Sequence, residues 1–432
     1  MPVHAALLFD GRLLTWSRLE SPHVWDPAAN TFQDVPLPSW IFCSGQSILP
    51  NGQVLVTGGH ITDDHGLPDV NIFDPATSSW IPSPPMARGR WYPTSITLAD
   101  GSVVVLAGTT QEASQNTVPE VRNADGSWRE LTGASLTLPY YPWVFAAPNG
   151  RPFVAGPGPL SRYLDTTGAG RWITGPSSNY GPRNYGSAVM YEPGKILVTG
   201  GDVTPPTNTA EILDLNSSSP AWRFTNPMAK ARRQHNATLL ADGKVMVVGG
   251  TSGSGFNDQS NAVLFAELWD PSTGKWTQLP SQRKPRVYHS IALLMPDGRV
   301  LSGGGGEGGG GTNQFNVEMY SPPYLFKPDG SPASRPQITS APAASAYGAA
   351  ISISSPEAAN ISRVALVRLP AVTHAFDANQ RYVPLEFAQA GDGALTVSMP
   401  ADPNLAPPGH YMLFLLDGNG VPSVAQIVRL DL

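Results

Sequence analysis

The stretch Asp242-Gly243-Lys244-Val245-Met246-Val247-Val248-Gly249-Gly250 decides the fold. An Asp-Gly pair ahead of an apolar run is the strongest short-range signal of a β-hairpin turn. The run that follows is short and rich in valine, so it reads as a buried strand rather than a helix. Two glycines end it. The same unit recurs at Asn51-Gly52 before Val54 to Gly59, at Asp100-Gly101 before Val103 to Gly108, at Asn149-Gly150 before Phe153 to Gly156, and at Pro193-Gly194 before Ile196 to Gly201. Asp10-Gly11 before Arg12 to Leu14, and Asp297-Gly298 before Val300-Leu301, complete seven copies spaced 41 to 55 residues apart.

A second mark trails most copies: an apolar residue, then Asp, often Pro, then an aromatic several residues on. Trp25-Asp26-Pro27 leads to Phe32, Phe73-Asp74-Pro75 to Trp80, Leu164-Asp165 to Trp172, Leu213-Asp214 to Trp222, and Trp269-Asp270-Pro271 to Trp276. A period of this length, with paired glycines and a distal Trp, reads as kelch-type units, each one four-stranded blade of a propeller. The expected fold class is therefore all-β, with a seven-bladed β-propeller over residues 1–326. The pattern stops after Tyr320-Ser321-Pro322-Pro323, and Lys327 to Pro336 reads as a linker. Residues 337–432 carry shorter alternating runs, Ile351 to Ser354, Val364 to Val367 and Leu395 to Val397, then a hairpin about Gly418-Asn419-Gly420. That spacing fits an immunoglobulin-like β-sandwich.

The composition narrows the function classes. Gly and Pro number 44 each, beside 11 Trp, 13 Tyr and 14 Phe. Many turns with many aromatics describe a folded chain, not a disordered one. Only 14% of residues are charged, the net charge is −6, and no basic stripe is present, which argues against nucleic acid. No apolar run approaches membrane-spanning length. Met1-Pro2-Val3-His4 lacks the charged start and apolar core of a signal peptide. The single cysteine, Cys43, has no partner for an internal disulfide. It reads either as a buried small hydrophobe or as a residue with special chemistry.

One pentapeptide, Arg286-Val287-Tyr288-His289-Ser290, carries a phenol next to an imidazole. Imidazole and phenolate suit copper or iron better than magnesium or calcium. Neighbours on a flat strand point to opposite faces, so Tyr288 and His289 can face one ion only where the strand is broken. A second cluster, His60, Asp63, Asp64 and His65, reads as solvated loop rather than a metal site. The glycine run from Gly303 to Gly311, interrupted by Glu307, is not followed by Lys-Ser/Thr and reads as a close backbone approach, not a phosphate cradle.

A propeller followed by a sandwich, with Cys43-Ser44-Gly45, Arg90-Trp91-Tyr92-Pro93, Val287-Tyr288-His289-Ser290 and Thr373-His374 in that order, resembles the copper radical oxidases, the family of galactose oxidase and glyoxal oxidase. The resemblance implies a copper held by Tyr92, Tyr288, His289 and His374, the last carried by a loop of the sandwich. It implies that Cys43 is joined to Tyr92 by a thioether, giving a tyrosyl-radical cofactor. It also implies Tyr288 as general base and Arg232 and Phe256 as substrate-binding residues. Removing two electrons with one copper needs a second acceptor, and a phenol whose ring carries a sulfur forms its radical more easily. The implied reaction takes an aldehyde or primary alcohol and O2 to the acid or aldehyde and H2O2. Thr110 stands where galactose oxidase has a shielding Trp, so the shield over the radical comes from elsewhere, with Trp91 the candidate, or is absent; Trp91 is also expected among the substrate-binding residues. The family's cysteine pair is absent from Gly303 to Gly311. Arg90-Trp91-Tyr92-Pro93 is more like the glyoxal oxidases, which favours an aldehyde over galactose. The family further implies a secreted monomer acting on small molecules. The rival reading is a non-catalytic kelch propeller that binds protein or glycan and needs neither copper nor Cys43.

Overall fold

The computed structural model describes every residue except Pro38, Val203, Thr204 and Asp392. All seven turn glycines, from Gly11 to Gly298, have φ between 78° and 88°, the left-handed region that glycine enters without steric cost. Each turn joins two antiparallel strands, as in the pairing of Leu239 with Val245 across Asp242-Gly243. Seven sheets follow one another along the chain. Their first strands are His4–Leu7, Gly45–Ile48, Thr94–Thr97, Trp143–Ala146, Ser187–Glu192, Arg233–Leu239 and Ser290–Leu294. These strands lie innermost and pack against one another round an axis. The last sheet has three strands among the described residues and the first is extended by two, as described below. The expected propeller is therefore the observed one.

The repeated sequence marks are the seams between blades. A side chain on Gly58, Gly200 or Gly249 would press into the backbone carbonyl of Arg90, Arg232 or Arg286 in the next blade. The following glycine donates its N–H to that same carbonyl, at 3.1 Å from Gly59, 2.9 Å from Gly201 and 2.6 Å from Gly250. The glycine pair is thus a close approach of two backbones. The ring closes by the same device, with Gly304 of the last blade against the carbonyl of Pro2. No strand is exchanged between first and last blades among the described residues. The distal tryptophans reach the other way. Trp80, Trp128, Trp172 and Trp276 donate Nε1–H to the carbonyls of Val35, Pro84, Ala134 and Asn226, at 2.7 to 2.9 Å.

Four blades also share an ion pair that the repeats do not announce, buried on both sides in three of them and half-buried at Glu318 in the fourth. Arg90 meets Glu120 at 2.9 Å, Arg183 meets Glu211 at 2.9 Å, Arg232 meets Glu267 at 2.6 Å and Arg286 meets Glu318 at 3.2 Å. In each, the guanidinium also donates to a carbonyl in or just after the second strand: Ala107, Gly200, Gly249 or Gly304.

The remaining strands form a five-stranded sheet, ordered Ala344–Ala346, Gln426–Asp431, Gly409–Asp417, Ile361–Arg368, Tyr382–Leu385, and a three-stranded sheet of Ala350–Ser354, Ala394–Ser398 and Phe387–Gln389. Ile353, Val364, Leu395, Val397, Tyr411 and Leu413 fill the space between them. One hairpin leaves this sandwich. Ala371–Thr373 and Phe376–Asp377 join the first blade, with Thr373 opposite His4. The sandwich is thereby threaded into the innermost edge of the propeller.

Candidate metal centre

Six consecutive blades each enter the innermost strand through one non-glycine residue in the left-handed region: Cys43 (φ 60°), Tyr92 (64°), Tyr141 (44°), Tyr185 (58°), Gln234 (59°) and His289 (64°). Such residues are uncommon and cost on the order of 1 kcal/mol or more each, so they persist only where the surroundings hold them. Here neighbouring blades hold them. The N–H of Tyr92 donates to the carbonyl of Cys43 at 2.9 Å, that of Tyr141 to Tyr92 at 3.0 Å, and that of Gln234 to Tyr185 at 2.6 Å. At His289 the left-handed residue breaks the strand, which is the condition for Tyr288 and His289 to share a face. Their rings stack at 3.9 Å.

His374 arrives from the other module. It and Ala375 form the two-residue loop of the guest hairpin, both at positive φ (48° and 65°), between partners Thr373 and Phe376. Two successive left-handed residues make a type I′ turn, whose twist suits a tight hairpin. The loop is anchored by the Ser187 hydroxyl donating to the Ala375 carbonyl at 2.6 Å. Beneath it, Gln46 Nε2 donates to the Val372 carbonyl at 3.0 Å. Asp377 accepts three backbone N–H groups, and burial raises its carboxyl to about 6.

The four residues converge. The Tyr92 and Tyr288 hydroxyls lie 2.7 Å apart, and Tyr92 Oη lies 3.5 Å from His289 Nε2. The ring centre of His374 is 4.6 Å from those of both Tyr92 and His289. Thr373 Oγ1 engages His374 Nδ1 at 2.7 Å, which leaves the buried Nε2 with no protein partner. Burial holds His289 near pKa 3 and His374 well below its usual value, so both imidazoles are neutral. Neutral imidazoles and phenols are the donor set that copper takes, and an orphaned ring nitrogen among them fits a metal ligand. Among the described residues, no group of three His, Cys, Asp or Glu side chains is placed to hold a metal ion. The His60 loop accordingly stays outside the centre: His60 Nδ1 accepts from the Trp91 indole at 3.1 Å, and Tyr140 donates to Asp64.

Cys43 is fully buried among Phe42, Trp91, Tyr92 and Tyr141. Burial pushes its thiol up, and the neighbouring Tyr92 side chain pulls it partly back. The Tyr92 ring is covered by Trp91, stacked at 3.7 Å and 12°. Trp91 thus covers one face of that ring, while Thr110 sits buried in a turn that accepts the Gly66 N–H.

Two expected placements need correction. Arg232 does not reach the substrate side. Its guanidinium is enclosed with Glu267, both side chains at 0% exposure, as one of the four repeated pairs. A charge at that depth needs its partner, and the repeat supplies one in every such blade. Trp91 belongs to the cover of Tyr92 and does not line the cavity. Phe256, 41% exposed, packs on the cavity residues Tyr288 at 4.7 Å and Tyr185 at 5.6 Å without lining the cavity itself.

Other residues of the centre carry no local sequence signal. His4 stacks on Trp16, accepts the Cys43 N–H on Nε2 at 3.2 Å and engages Gln46 at 3.1 Å. Tyr141 stacks on His374 at 4.4 Å. Glu307 faces His289 Nδ1 at 3.7 Å, and burial raises its carboxyl to about 7. Tyr141 and Gln234 could have been found by stepping 49 residues from Tyr92 and then aligning blade entries. His4 and Glu307 could not.

Beside the converging side chains lies a cavity of about 380 Å³, walled by Pro139, Tyr140, Tyr141, Trp143, Tyr185 and Tyr288. No charged residue borders it among the described residues.

Comparison with known proteins agrees with this geometry. The family description "Galactose oxidase-like, Early set domain" matches residues 335–430, and "Glyoxal oxidase N-terminus" matches residues 199–324. Galactose oxidase of Gibberella zeae is 32% identical over 97% of this chain and 67% of its own length. Aldehyde oxidase GLOX of Vitis pseudoreticulata is 28% identical over 94% of this chain and 85% of its own. A solved fungal alcohol oxidase in complex with copper superposes with a TM-score of 0.90 at 30% identity, covering 100% of this chain and 97% of that one. Blades, guest hairpin and a phenol–imidazole centre on the axis, matched end to end by these relatives, make the chain a member of the copper radical oxidase family, a copper-dependent oxidoreductase.

Proposed function

We propose that Tyr92, Tyr288, His289 and His374 hold the copper, that Cys43 and Tyr92 become joined by a thioether, and that the enzyme oxidises neutral aldehydes in preference to primary alcohols. The observation that carries the reading is the meeting of the Tyr92 hydroxyl, the Tyr288 hydroxyl, His289 Nε2 and the partnerless His374 Nε2, with the buried Cys43 packed in one cluster with Tyr92. Copper, when bound, supplies a one-electron couple and a Lewis-acid position for the substrate oxygen.

The chain's own residues do the rest. Tyr288 Oη takes the proton of the substrate hydroxyl as general base. Burial raises both phenols well above their usual pKa, so they stay protonated until a cation is beside them. Tyr92 Oη, as a phenoxyl, takes the hydrogen atom from carbon. Trp91 and Tyr141 enclose the Tyr92 ring at 3.7 and 4.6 Å and keep water from it. With O2 the sum is aldehyde hydrate plus O2 to acid plus H2O2. Similarity to galactose oxidase over nearly the whole chain supports primary alcohols as the second class. The resemblance supports a secreted monomer; among the described residues, no helix is long and apolar enough to cross a membrane.

Two measurements test this. After copper treatment in air, mass spectrometry should find the chain lighter by two hydrogens, with the peptides of Cys43 and Tyr92 joined. Cys43→Ser should abolish the cross-link and nearly all peroxide release from glyoxal-like aldehydes, galactose and simple alcohols. Full activity in Cys43→Ser would end the proposal.

A further inference from the structure

Gln234 is the blade-entry residue whose side-chain polar atoms are both buried without a partner. It is 3% exposed, it lines the cavity with Tyr288 and His289, and neither its Oε1 nor its Nε2 has a partner. Its backbone is fixed in the left-handed region by the bond to the Tyr185 carbonyl, so the amide is held at the wall. A buried amide left unpaired is costly, and native proteins seldom keep one without a use. The remaining walls are mostly aromatic rings and prolines, with Asn184 and Ser290 as further polar neighbours and no charge among the described residues.

From this we infer that Gln234 is a specificity-determining residue, which recognises the second hydroxyl of a neutral, aromatic or compact apolar aldehyde bound as its hydrate. The inference rests on the oxidase reading above. An aldehyde hydrate presents two hydroxyls on one carbon. One would give its proton to Tyr288 and become the carbonyl oxygen of the acid. The other needs both a donor and an acceptor beside it, and a primary amide offers one of each. A primary alcohol lacks that second hydroxyl and leaves the amide unpaired after water is displaced. A site built around such a group rejects the analogue without it far better than an apolar pocket rejects a missing methylene. The absence of charge on the walls disfavours substrates bearing a carboxylate or phosphate.

Matched substrates differing by one oxygen test this. Phenylglyoxal hydrate, PhCOCH(OH)2, is oxidised with O2 to PhCOCOOH and H2O2. 2-Hydroxyacetophenone, PhCOCH2OH, is oxidised with O2 to PhCOCHO and H2O2. Methylglyoxal and hydroxyacetone form the same pair without the ring. Initial peroxide release from the copper-loaded enzyme should give kcat/KM at least about tenfold higher for each hydrate than for its alcohol. In Gln234→Met, unbranched and of similar length, that ratio should fall about tenfold or more, and Gln234→Asn should restore part of it. Copper content and the Cu(II) electron paramagnetic resonance spectrum should match wild type, because the ligands are untouched. A wild type that prefers the alcohols overturns the inference without any variant. A ratio unchanged in a copper-loaded Gln234→Met overturns it too, as does a wild type that oxidises galactose but neither pair. A wild type that releases no peroxide from any aldehyde or alcohol strikes the oxidase reading itself.

Discussion

Replacing Arg232 by methionine separates a structural arginine from a substrate-binding one. Arg232 and Glu267 are both at 0% side-chain exposure and 2.6 Å apart. The other Glu267 oxygen accepts the N–H of Ala229, and the guanidinium also donates to the Gly249 and Phe265 carbonyls. Methionine keeps much of the volume but leaves the carboxylate buried without its cation. Breaking such a pair costs about 3–5 kcal/mol, most of it the penalty of the stranded charge. The loss should appear as a lowered denaturant midpoint in the metal-free protein, followed by tryptophan fluorescence. In Arg232→Met/Glu267→Leu the stranded charge is gone, so the double variant should be more stable than the single. Arg183→Met should behave like Arg232→Met, because Arg183 and Glu211 form the same pair in the preceding blade. KM for aldehydes should change by less than about threefold, since no part of Arg232 borders the cavity. An Arg232→Met enzyme with an unmoved midpoint and a KM raised tenfold would refute this and return Arg232 to the substrate.

Three further outcomes follow from the same geometry. His374→Ala should fold, since the loop is held by Ser187 and Asp377, yet lose most bound copper by elemental analysis; full copper occupancy would remove His374 from the ligand set. Trp91→Phe loses the indole donor to His60 and part of the stack on Tyr92, so the radical's optical band should decay several-fold faster after oxidation. An equally long-lived radical would show that Trp91 does not protect it. His410, stacked on Phe9, is depressed to about 4 by burial, against about 6.5 when unfolded. The unfolded chain therefore binds the extra proton, and this stability is present above about 6.5 and lost as pH falls towards 4. His410→Gln should flatten the pH dependence of the denaturation midpoint over that window, and an identical slope would contradict it.

The chain's own order of residues determined the blade count, because an Asp-Gly or Asn-Gly turn with an apolar run and a glycine pair is a local statement about backbone twist and close approach. It also determined which residues were chemically unusual: one cysteine, and a tyrosine beside a histidine. Tertiary structure alone decided what those residues meet. Tyr92 and Tyr288 touch because blades three and seven face one axis, and His374 joins them because a hairpin of the sandwich pairs with His4–Leu7. The placing of Arg232 failed at sequence level for the same reason, since its partner Glu267 stands two strands away and only the blade's twist brings them together. Left-handed backbone at the blade entries turned the side chains inward, and no local propensity favours that conformation for cysteine, tyrosine, glutamine or histidine; bonds between neighbouring blades impose it.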